Sequence, residues 1–313
     1  MIPLSAWVDG DAPLTTLAMD AGRVHRITLR DGRDVTYAEY GDPQGHAFLE
    51  LHGGGSSHLS GLLFHREALA HGVRVIAVDR PGSGGSALHE AYSVVDYPRD
   101  LDEIADVLGL DRFVVMGNSN GGMMALSAAH ALPDRVLLAL PCNPATPVYD
   151  DPLALELVPM YAELAALGVQ VQAAAMRQTI DTMLAGDHSS WTAPPLQQGT
   201  AATETEIIDL YLRSTQLAST EALPREIELI FQPWGFDLDD ITPRVEFLSG
   251  ETEIGTPYNK VWAGRLPDAV VHEIPGGHCS QLDPEQRDRL MRRVAAAYDS
   301  PTQDVHPAVA SLA

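Results

Sequence analysis

The chain has 313 residues, 45% of them apolar and 20% charged, and carries a formal charge of −23. That length and apolar share support a large buried core and exclude a disordered chain. The acidic excess excludes nucleic acid and anionic membranes as partners and disfavours strongly anionic ligands; because the acids are scattered and form no tail, their simplest role is solubility.

The N-terminal stretch "MIPLSAWVDGDAPLTTLAMDAG" lacks a basic n-region and a continuous apolar h-region, and no later segment approaches the length of a membrane span, so a soluble, cytoplasmic protein is expected. Residues 23–40 hold two β-rich runs divided by Asp31-Gly32, a hairpin signal. "HAFLELHGGG" reads as an apolar strand discharging into a glycine-rich loop, followed by a helical stretch from about Leu59 to His71. "VRVIAVDRPGSGGS" repeats strand and glycine-rich loop. It lacks the Lys-Ser/Thr ending of a phosphate-binding loop and the spacing of a dinucleotide fingerprint, so a structural turn is expected. "VDYPRDLDEIADVLGL" reads as an amphipathic helix with Pro98 in its first turn.

"FVVMGNSNGG" follows, an apolar run into glycine that leads to the helical "MMALSAAHAL", and "RVLLALPCN" supplies one more strand. Residues 144 to about 238 then contain only helical patterns, such as "LALELVPMYAELAALG" and "TEIIDLYLRSTQLA". "RVEFLSGE" and "AVVHEIPGG" restore strands, and "DPEQRDRLMRRVAAAY" closes the pattern as a helix with Leu290, Met291 and Val294 on one face. Strands alternating with helices predict a mostly parallel α/β sheet of about eight strands with a hairpin at its front edge. The expected organisation is a core of residues 1–143 and 239–300, a helical insertion over 144–238 and a disordered tail over 301–313. Cys142 and Cys279 match no metal or redox spacing, which predicts two free thiols. No cluster shows metal-ligand spacing, so neither metal nor cofactor is expected.

"GNSNG", residues 117–121, fits the G-x-S-x-G nucleophile elbow, in the required setting of strand, sharp turn and helix. On this motif the chain resembles the α/β-hydrolase family from about residue 23 to 300, and the order serine, acid, histidine along the chain fits as well. The resemblance implies an α/β-hydrolase fold with a helical cap over the site. A serine hydroxyl needs exposure and a paired base to attack a carbonyl, and Ser119 has the place of that nucleophile. Gly117 and Gly121 relieve crowding at the turn, and the amide of Asn120, at a helix N-terminus, can bind an oxyanion. "LHGGG" lies where the resemblance places the second oxyanion donor: Gly54, with Gly53 or Gly55 as alternatives.

His278, after the final strand in "IPGGHCS", is the candidate base, whereas His52 precedes the serine and is expected to stabilise its loop. For the acid, Glu253 occupies the family position three residues after Gly250; Glu251 is the runner-up, with Asp150 or Asp151 as acids from after the preceding strand. The resulting expectation is a serine hydrolase acting on a carboxylic ester, lactone or thioester of an uncharged, mostly apolar small molecule. Met160, Tyr161, Met176, Met183, Trp191 and Tyr211 of the cap are candidates for its pocket. Lyase or cyclase chemistry with the same three residues, or a non-catalytic receptor, stay open as alternatives.

Overall fold

The structure is a computed structural model that describes residues 24–147, 151–184 and 222–299. The expected tail, residues 301–313, lies outside the described residues, as do the N-terminal residues and much of the insertion. Among the described residues, no helix is long and apolar enough to cross a membrane.

Eight strands form one sheet: β1 (Val24–Thr28), β2 (Asp34–Gly41), β3 (His46–Leu51), β4 (Val73–Val78), β5 (Phe113–Asn118), β6 (Val136–Cys142), β7 (Val245–Gly250) and β8 (Ala269–Ile274). Their spatial order is β1-β2-β4-β3-β5-β6-β7-β8. The first two strands are the expected hairpin, with β2 also antiparallel to β4; every other pairing is parallel. Parallel strands covered on both faces must be apolar at nearly every position. This accounts for the largely apolar runs in β3, β4 and β5, interrupted by Glu50 and Arg74, where most side chains are buried.

Helices cover both faces. On one side α2 (Tyr97–Leu108), α3 (Asn120–Ala131) and α8 (Thr256–Ala263) pack around Leu49, Leu51, Val115, Phe247 and Trp262. On the other, α1 (His65–Ala70) and α9 (Pro284–Asp299) pack around Phe48, Val75, Val114 and Leu140. The face expected for the closing helix is the one it buries: Leu290, Met291 and Val294 are at most 5% exposed. Pro98 lies in the first turn of α2, where its missing N–H costs nothing.

The stretch expected to be helical from about Leu59 to His71 is wound more tightly in its first half, as a 3-10 helix over His58–Phe64. Gly61 explains the tight fit, since a Cβ there would stand 2.5 Å from that of Ala77 on β4. The described part of the insertion holds α4 (Pro152–Leu157), α5 (Met160–Leu167), α6 (Val169–Leu184) and α7 (Ala222–Ile230), with no strand among its described residues. The last two share a small apolar cluster, Ala173 with Leu223 and Ile227.

Candidate active site

The site is built around the end of β5. Ser119 has φ 54° and ψ −116°, a backbone conformation that side-chain-bearing residues rarely adopt. The bend is pinned on both sides: the Ser119 N–H donates to Cys142 C=O at 3.0 Å, and its own carbonyl accepts from Gly122 at 2.9 Å and Met123 at 3.2 Å. Glycine at the flanking positions is a steric requirement. A Cβ on Gly117 would lie 2.1 Å from the Gly121 carbonyl, and one on Gly121 would lie 1.9 Å from Leu51 O. The crowding expected from the sequence is therefore present, and it comes from packing α3 directly on β5 and β3.

Ser119 and His278 border one cavity of about 350 Å³, without a hydrogen bond between them. His278 sits beyond β8, past Gly276 at φ 105°, and its Nδ1 lies 3.0 Å from Glu253 Oε2. Of the acids considered, the structure brings Glu253 to the histidine. Glu251 is exposed. Asp151 caps α4 by accepting from Leu153 N and is held by Arg265 at 2.6 Å and the Tyr258 hydroxyl at 3.1 Å. Asp150 lies outside the described residues.

Asn143, just past β6, went unnoticed in the sequence. Its side-chain amide donates to the His278 carbonyl at 2.9 Å, while its Oδ1 accepts from Gly250 N at 2.9 Å. One residue thus ties the turn carrying Glu253 to the loop carrying His278. Its backbone φ of 40° is rare for a residue with a side chain, and nothing local in the sequence marks it.

The glycine loop after β3 lies over the serine. A Cβ on Gly53 would be 3.9 Å from that of Ser119, and one on Gly54 would be 3.2 Å from Asn120 Nδ2. The amide of Gly55 is committed elsewhere: it donates to Glu226 Oε2 at 2.7 Å. That occupied donor removes Gly55 from the three glycines considered. Asn120 opens α3, and its side chain donates to the Glu226 carbonyl at 3.0 Å.

His52 is buried and acts as a brace, as expected. Its Nδ1 lies 2.8 Å from Gly53 O, and its Nε2 accepts from Arg80 N at 3.2 Å. Burial, with the Arg80 charge nearby, pushes its pKa well below the ordinary imidazole value, so it is neutral. The loop after β4 is structural as expected, with Asp79 accepting from the backbone N–H of His58 and contacting its ring, both at 2.7 Å.

Glu50 was also missed, because it looked like one charge within a strand. It lies on the same face as Phe48, is 3% exposed, and borders the cavity beside Met116 and Phe64. Burial pushes its pKa up to about 8. Ser60 Oγ lies 2.8 and 3.0 Å from its two carboxyl oxygens and 3.0 Å from Ser57 C=O. A hydroxyl has one proton to give. A protonated Glu50 donating to Ser60, which donates in turn to Ser57, satisfies the chain of contacts.

Much of the remaining wall is apolar, with Leu63, Phe64 and Met116 from the core, Met176 from α6, and Leu223, Ile227 and Ile230 from α7, while Ser56, Asn118 and Gln281 add polar groups. Of the insertion residues expected here, Met176 lines the cavity. Met160 is 43% exposed, and Tyr161 packs against Phe231. The side chain of Met183, and Trp191 and Tyr211, lie outside the described residues. The α7 residues were legible only as an i, i+4, i+7 stripe in "ALPREIELI". Both thiols are free, and burial raises both, Cys279 to about 12 and Cys142 well above its usual value. Neither is a thiolate near neutral pH.

Comparison with known proteins agrees with the fold. A family model described as the alpha/beta hydrolase fold matches residues 47–285. A proline iminopeptidase of Lactobacillus delbrueckii subsp. lactis is 37% identical over 84 residues, 25% of this chain and 29% of that protein. A 2-hydroxy-6-oxo-6-phenylhexa-2,4-dienoate hydrolase of Burkholderia cepacia is 36% identical over 98 residues, 29% of this chain and 34% of that protein. The matched segment thus spans about a third or less of these relatives' own length. Among solved structures, an esterase from Exiguobacterium antarcticum superposes with a TM-score of 0.66 at 19% identity, covering 88% of this chain and 99% of that one. An enol-lactonase from Burkholderia xenovorans LB400 gives 0.61 at 19% identity, covering 88% and 100%.

Proposed function

Because the chain belongs to the alpha/beta hydrolase fold family, we propose that it is a serine hydrolase that cleaves an ester, lactone or thioester of an uncharged small molecule through an acyl-enzyme on Ser119. The observation that carries this is the strained Ser119 backbone at the wall of a cavity that His278, itself in contact with Glu253, also lines. With Nδ1–H donated to Glu253, the Nε2 lone pair of His278 is left to take the serine proton as Oγ attacks the substrate carbonyl. The developing oxyanion accepts from the amides of Asn120 and Gly54, which neutralise charge that exists only near the transition state. The protonated histidine then gives its proton to the leaving alcohol or thiol, and water activated by the same imidazole releases the acid.

The apolar walls and the net charge of −23 favour a neutral substrate over an anionic one. Helices α6 and α7 act as the cap, since they supply the wall opposite the sheet. Steady-state turnover of a panel of activated esters, lactones and thioesters tests the proposal. Ser119→Ala is expected to lower kcat by about three or more powers of ten with an unchanged melting temperature. Equal turnover by that variant would refute it.

A further inference from the structure

Arg80 and Glu226 form an ion pair that is almost wholly buried, with side chains 0% and 2% exposed. The two residues are 146 positions apart, one following β4 and the other on α7 of the insertion. Arg80 donates to the carbonyls of His52 and Gly53, the latter at 2.9 Å, and to Glu226 Oε1 through Nε at 3.0 Å and a second nitrogen at 2.5 Å. The other oxygen of Glu226 accepts from Gly55 N, and its backbone carbonyl accepts from the Asn120 side chain. Three consecutive peptide groups of the glycine loop are therefore gripped by a single pair of charges.

All the described peptide bonds are trans, so within one peptide unit C=O and N–H point in opposite directions. Arg80, by holding the Gly53 carbonyl, fixes the Gly53–Gly54 unit with its N–H facing away from the guanidinium. We propose that Arg80 and Glu226 are positioning residues that aim the Gly54 amide at the oxyanion, and that Glu226 makes the helical insertion part of the oxyanion machinery. This rests on the serine hydrolase reading above. It also gives a use to a buried ion pair, which by itself adds little to stability.

The test uses the full chain and an activated p-nitrophenyl ester. Removing one partner strands a buried charge and risks misfolding, so the informative variant is Arg80→Met combined with Glu226→Met, which removes both charges at similar volume. A melting temperature near that of the wild type shows that it folds. The expected result is a fall in kcat of roughly tenfold to a thousandfold, as for loss of an oxyanion donor, with KM changed by less than about threefold. The rate of Ser119 modification by an alkyl phosphonate should fall in parallel. Arg80→Lys, which keeps the charge but lacks the fork that holds two carbonyls, should show a smaller fall of the same kind. A folded double variant with wild-type kcat would overturn the proposal. So would a raised KM at unchanged kcat, which would make Glu226 a pocket wall only. Failure of the wild type itself to turn over ester or react with phosphonate would instead sink the hydrolase reading.

Discussion

Two carboxylates, one on the His278 ring and one in the cavity wall, are held in opposite ways. Glu253 faces an imidazole, whereas Glu50 borders the cavity beside Met116, Leu63 and Phe64 with Ser60 as its hydrogen-bond partner among the described residues, and burial raises its pKa to about 8. Between an ordinary carboxylate value near 4.5 and about 8, the folded protein holds a proton at Glu50 that the unfolded chain has released. Glu50 therefore lowers stability as pH rises through that window, by up to about 1.4 kcal/mol per unit, and adds no further loss above it. Glu50→Gln keeps the shape and removes the titration. Its melting temperature should approach or exceed that of the wild type by pH 8.5, with a smaller advantage at pH 5; a difference independent of pH would show that Glu50 does not titrate as described.

The strand-turn-helix element of β5, Ser119 and α3 is tightly constrained at Gly117 and Gly121. Gly121 lies against Leu51 O, so any side chain there must push α3 off the sheet. Gly121→Ala is expected to cost more than about 2 kcal/mol and to abolish reaction at Ser119. Gly109, at φ 66° with nothing within 4 Å of its Cβ position, is the internal control: Gly109→Ala carries backbone strain alone and should cost about 1 kcal/mol. Equal losses in urea unfolding would mean that contact with Leu51 O is not what fixes the glycine. This element was legible in the sequence because its signals are local: an apolar run, glycines at fixed offsets and an alanine-rich helix. The winding of His58–Phe64 was not, because it depends on how closely Gly61 lies against Ala77, a contact between elements.

At the scale of the molecule, what the sequence conveyed was the sheet and the places of Ser119, His278 and Glu253, all at loop ends whose position follows from strand order. What it concealed were the ties between loops. Arg80 meets Glu226 across 146 residues, and Asn143 meets His278 across 135, with no periodicity or spacing to announce either. Those long-range bonds link six loop ends and one inserted helix, so the serine, the base and the glycine loop should respond as a unit. The most direct measurement of the central claim is incubation with a p-nitrophenyl alkyl phosphonate, followed by intact mass and peptide mapping, in the wild type and in His278→Ala. One adduct per chain is expected, located on Ser119, with a rate of modification at least about a hundredfold lower in the histidine variant. An adduct on another residue, or modification of Ser119 at the same rate without His278, would contradict it.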